Sequence, residues 1–284
     1  MNKLFLFLLS LLQLSALAQD NPTSEAQPIV EEGKRLYKSE MASWYGTDVF
    51  LATYKDQSKI GGYFSYTEKD AAICIFFSKT EQPKVIGTIS FDSTYNTTTA
   101  KADFTERDFT SYENDIYIIR KAALAAINSD PLFKVYDNTN LNLIPLISET
   151  EKKVYVITAT SQQGRVIFGN DYLINFDNNN NLVNKKRLHV SMIPIDYEAE
   201  SAGGKKVVGA MHSHLPETGD FITATDICTL MLYSKFTPWE QHNVVSKKYL
   251  NIWNCKTNQL TVIPMETVDK INKDKEKRKK KKDD

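Results

Sequence analysis

Cysteine is scarce in this chain: Cys74, Cys228 and Cys255 are all there is. Three thiols so widely spaced are not a disulfide framework, so the fold has to rest on a hydrophobic core. If one bridge forms, Cys228 with Cys255 is the pair expected, and buried free thiols are the equal alternative. Histidine is rarer than most residues, with four in 284 positions. Glycine and proline are sparse as well, 11 and 9, which excludes collagen-like and low-complexity chains. No glycine-rich dinucleotide fingerprint and no phosphate loop is present. No convincing Ser/His/Asp set is found. No excess of one charge sign exists either, with 35 basic and 35 acidic residues. That balance is uneven along the chain, because residues 273–284 carry a run of lysines. Without them the body is mildly acidic, and nothing steers it to nucleic acid. No aromatic interleaves with the basic run to stack on bases. It is read as a solvated, disordered tail from residue 269.

Only one long apolar run occurs, Leu4 to Leu12, broken by Ser10. Lys3 precedes it and Ala16-Leu17-Ala18 follows. A basic start, a short apolar core and an Ala-x-Ala end have the form of a cleavable signal peptide over residues 1–18. The run is too short to span a bilayer, which takes about 20 residues. The expected location is outside the cytosol, periplasmic or extracellular. No transmembrane segment is expected in the mature chain.

The hydrophobic pattern divides the remainder near residue 106. In residues 19–106 a helix is expected over 29–45, with Val30, Leu36, Tyr37, Met41 and Trp44 at helical spacing. Strands are expected over 49–54, 62–66, 71–77 and 85–91, rich in β-branched and aromatic residues. Short polar turns between them imply a small antiparallel α+β domain. In residues 107–268 a helix over 109–127 leads into strands at 141–147, 153–160, 165–169, 172–176 and 182–193. A strand over 207–212, a helix over 224–235 and strands at 244–246, 249–253 and 260–263 follow.

Chemistry concentrates at Gly209 to Asp226. His212 and His214 stand two apart at a strand end, so both imidazoles face one side. Asp226 follows on the first turn of a helix. Two imidazoles and a carboxylate suit a zinc ion with one position left for water. Thr223-x-x-Asp226 also has the form of a helix capping box. His189 is read as an ordinary strand residue and His242 as structural.

The pattern His212-x-His214, an eight-residue spacer and Thr223-x-x-Asp226 resembles the JAB/MPN (JAMM) metallopeptidases, over roughly residues 107–265. The family spacer has seven residues, and serine stands where this chain has Thr223. The resemblance implies an α+β fold: a JAB/MPN-like mixed sheet flanked by helices, here preceded by the small antiparallel domain. It implies zinc on His212, His214 and Asp226, with Thr223 hydrogen-bonding the reacting centre. The family's general-base glutamate is missing, and Asn142 occupies its place. Asp137, Glu149 or the loop residue Glu217 would have to replace it, Glu217 standing beside the metal loop. The expected function is an exported zinc-dependent peptidase or isopeptidase acting on a peptide or protein. The alternative is an inactive relative that binds a protein partner in the cell envelope.

Overall fold

The computed structural model describes residues 21–69, 71–198 and 207–283. The expected signal peptide lies outside them. A short helix α1 (Pro22–Glu25) leads into a long helix α2 (Gln27–Thr53). Val30, Leu36, Met41 and Phe50 give α2 a buried apolar stripe. Each such side chain contributes about 1.5–3 kcal/mol when fully buried. The helix runs on through residues 49–53, where a strand is expected from the sequence. Phe50 explains the difference. From the helix its ring stacks on Phe76 at 3.8 Å between centroids, and that contact outweighs the strand preference of Val49 and Phe50.

Strands β1 (Ile60–Glu68), β2 (Ala71–Ser78), β3 (Val85–Phe91) and β4 (Lys101–Asp103) form an antiparallel sheet in sequence order. Helix α3 (Ser111–Ser129) follows, started by a capping box between Thr110 and Glu113. A second antiparallel sheet has the order β5-β6-β8-β9, from β5 (Thr139–Ile147), β6 (Lys152–Thr160), β8 (Tyr172–Phe176) and β9 (Leu182–Arg187). Strand β7 (Arg165–Gly169) leaves that sheet and pairs with β10 (Met192–Asp196). The single strand expected over 182–193 is therefore two, separated at residues 188–191. The last sheet runs β11-β12-β13-β14: β11 (Gly209–Ser213), β12 (Gln241–Val245), β13 (Tyr249–Asn254) and β14 (Gln259–Pro264). Only its β11/β12 pair is parallel. Helix α4 (Ala224–Tyr233) makes that crossover. The fold is α+β.

The core does not divide at residue 106. Helix α2 packs along α4, and a Cβ on Gly33 would lie 2.7 Å from Ile227, so only glycine permits this approach. One cluster joins Leu36, Met41, Cys74 and Ile89 to Ile144, Tyr155, Ala224 and Cys228. A second surrounds Trp253 and draws Val30 of α2 together with Ile227 and Phe168. The far side of the sheets is covered by α3, through Ile116 on the first and Ile119 on the second. Cysteines 74, 228 and 255 are all free and buried. Cys228 and Cys255 belong to different clusters and are not paired.

Residues 265–283 form helix α5 rather than an irregular tail. Acidic residues stand four positions before basic ones at Glu266/Lys270, Asp269/Lys273 and Asp274/Arg278. That order supports a solvent-exposed helix, at about 0.2–0.5 kcal/mol per pair. Among the described residues no helix is long and apolar enough to cross a membrane.

Candidate metal centre

Strand β11 carries His212, and alternation buries it while Met211 and Ser213 stay exposed. The ladder continues one residue further, with His214 N donating to Val245 O at 2.8 Å. His214 therefore keeps the facing of His212, as the spacing requires.

Asp226 arrives from α4, whose N-cap is Thr223. Asp226 N donates to Thr223 Oγ1 at 3.1 Å. Thr223 N and Oγ1 donate back to Asp226 Oδ2 at 3.0 and 2.8 Å. The capping box is thus present, and it uses only one carboxylate oxygen. The other, Oδ1, is buried without a hydrogen-bond partner. It lies 3.5 Å from the Nε2 atoms of both His189 and His212. The cap thus leaves one oxygen of the same side chain free for a second role.

His189 enters from the break between β9 and β10. Gly169 makes room for it. At φ +76 a Cβ there would stand 2.2 Å from Ser191 O and 3.2 Å from His189 Cβ. The Nε2 atoms of His189 and His212 each lie 3.2 Å from His214 Nε2. His214 Nε2 is also 3.1 Å from Asp226 Oδ2. Three imidazole nitrogens and a carboxylate oxygen without a hydrogen-bond partner converge here, an arrangement that a single cation would satisfy. A tetrahedron with metal–ligand bonds of about 2.0–2.1 Å has edges of about 3.3 Å, close to these separations. His189, His212, His214 and Asp226 form a buried group that could hold a metal ion. Their exposures of 3, 6, 7 and 1% place it out of bulk water.

The outer nitrogen of each imidazole also faces a polar partner. His212 Nδ1 is 2.9 Å from His242 Nε2, and His214 Nδ1 is 3.0 Å from Phe221 O. His189 Nδ1 faces the buried Asp171 Oδ2 at 3.4 Å, an ion-pair contact rather than an aligned hydrogen bond. Phe168 lies against the rings of His212 and His242, and Trp239 against His242. Burial opposes a charge on His189, yet Asp226 and Asp171 raise its pKa to about 10. Burial opposes the charge on Asp226 too, but His189 and His212 hold it well below the usual carboxylate range. Burial, helped by His212, drives His242 down to about 3 and keeps it neutral.

No protein-family model, no curated protein and no solved structure matches this chain. The centre therefore has to be read from its own residues. His212, His214 and Asp226 come together as the sequence suggests. Thr223 sits beside them, but its hydroxyl is engaged by Asp226 and by Thr225. Glu217, Asp137 and Glu149 are exposed and stand outside the ligand group. Asn142 is turned toward α2, donating to Glu40 Oε2 at 3.1 Å. His189, assigned no role from sequence, is the fourth ligand candidate. The available signal was its rarity, since all four histidines of the chain gather here.

Proposed function

We propose that this protein binds one zinc ion through His189, His212, His214 and Asp226. The metal fastens the fold, and the protein serves as a binding module on a JAB/MPN-like motif rather than as a hydrolase. Three imidazole nitrogens with one carboxylate in a buried set favour zinc among divalent metals. One observation carries the choice between binding and hydrolysis, namely that His189 fills the fourth position. Catalytic zinc keeps three protein ligands and leaves the fourth site to water, whereas structural zinc is closed. No carboxylate from Asp137, Glu149 or Glu217 stands in for the family's base, and Thr223 is committed to its cap. Zinc in an open site would polarise a carbonyl and activate water; a closed site offers neither. Export, with a peptide or protein partner outside the cytosol, belongs to the same proposal and rests on residues 1–18.

Elemental analysis of the purified chain and of a His212→Ala/His214→Ala double variant tests the metal. About one zinc per wild-type chain and none in the variant is expected. Cobalt substitution then tests closure. A closed site gives intense tetrahedral visible bands unchanged by pH or by added azide. Bands that shift with azide, together with cleavage of peptide or isopeptide substrates, would establish the hydrolase instead.

A further inference from the structure

Three ligands to one ion share a residue type but not a setting. Behind His189 stands a carboxylate, Asp171, itself buried and accepting from Thr158 N at 3.2 Å. Behind His214 stands the Phe221 carbonyl. Behind His212 stands another imidazole, His242, fully buried and enclosed by Phe168 and Trp239. An imidazole that binds metal through Nε2 must carry its proton on Nδ1. His212 Nδ1 then donates to His242 Nε2, which has to be a bare acceptor. The proton of His242 is left on Nδ1, an atom that is buried and has no partner.

Resting on the zinc reading above, we infer that His242 is a positioning residue: a neutral imidazole locked as the Nδ1–H tautomer, whose Nε2 fixes the proton and the rotation of His212. The feature that points to this role is geometric: His242 Nε2 stands 2.9 Å from His212 Nδ1, while its own Nδ1 is buried without a partner. With His212 bound through Nε2, His242 Nε2 is the acceptor. The unpaired buried Nδ1–H that follows is costly, so the contact to His212 is what holds this tautomer. Charge leads the same way. Two carboxylates, Asp171 and Asp226, face three ligating imidazoles and His242. If all four rings are neutral, the buried set carries two negative charges, which one divalent cation balances. A carboxylate in place of His242 would leave an excess negative charge. An aliphatic or aromatic residue would leave His212 Nδ1 without an acceptor.

The test uses the full chain loaded with zinc. Long-range proton–nitrogen NMR of ¹⁵N-labelled protein reports the tautomer of each histidine without any variant. The expected pattern is Nε2-metallated His189, His212 and His214, with His242 neutral and protonated on Nδ1. His242 protonated on Nε2 would overturn the inference. Two variants add an independent readout, zinc affinity measured by competition with a chromophoric chelator. His242→Phe preserves the aromatic packing without the acceptor, and a loss of about 10–100-fold is expected. His242→Gln restores an acceptor oxygen and should recover most of that loss. Equal affinity of the Phe variant and wild type would also refute the role. A wild-type chain whose spectrum and affinity show no response to zinc would reject the zinc reading itself, a separate outcome.

Discussion

Two carboxylates, Glu40 on α2 and Asp226 at the start of α4, are both buried and treated differently. Asp226 lies among three imidazoles, with one oxygen capped and the other aimed at their meeting point. Its charge is held in place. Glu40, on α2, accepts one amide hydrogen bond from Asn142. Burial pushes its pKa up to about 7, against the weaker opposing effects of Asn142 and Arg120. One region is arranged to keep a negative charge in the interior, and the other tolerates a carboxyl that prefers to be neutral. Burial alone does not mark a functional acid, whereas convergent partners do.

The comparison is broken most severely by removing the proposed zinc ion. A ligand at about 1,000 times its dissociation constant adds about 4 kcal/mol to stability. Chelation should therefore lower the melting temperature by roughly 10 °C for a chain of this size. The His212→Ala/His214→Ala variant should melt low and show no change with chelator. Differential scanning calorimetry with and without chelator checks both.

Glu40→Gln sharpens the other side. The folded pKa of Glu40, about 7, stands above the ordinary glutamate value of 4.5. Between those limits the folded state holds a proton that the unfolded chain has released. Stability is therefore fully present below about pH 4.5 and falls as pH rises through 7. The Gln variant lacks this loss. It should match wild type near pH 4.5 and exceed it at pH 8 by on the order of 3 kcal/mol. Urea melts at the two pH values decide this, and equal differences at both would show that Glu40 is not destabilised by burial.

Gly169→Ala attacks the metal region through its backbone. The new Cβ has no room beside Ser191 O, and the conformation itself disfavours a side chain. A loss of about 1–3 kcal/mol is expected, together with weaker zinc binding because His189 is displaced. Isothermal titration separates the two effects. The smallest change belongs to Glu217→Gln. The side chain is exposed and outside the ligand group, so metal content should hold and stability should move by less than about 0.5 kcal/mol.

Legibility in the sequence followed the range of the interaction. Strands β3, β7 and β8 were readable residue for residue, because β-branched and aromatic runs bounded by turn residues are a local property. The strand expected at 49–54 was not, since Phe50 is fixed by a distant ring, Phe76. The break at 188–191 lies against Gly169, about twenty positions away, and so could not be seen in the local pattern of 182–193. The same break hid His189. His212, His214 and Asp226 were readable because their spacing encodes a strand end and a helix start.

The sequence by itself determined the α+β class, the three candidate ligands that lie close along the chain, and the capping box on which Asp226 sits. Only the tertiary structure decided that the capping box leaves one oxygen free, that His189 completes the group, and that His242 and Asp171 stand behind it. The reason is physical. Spacing controls the direction of side chains within one element, but a polyhedron of ligands is closed by segments whose meeting depends on packing between elements.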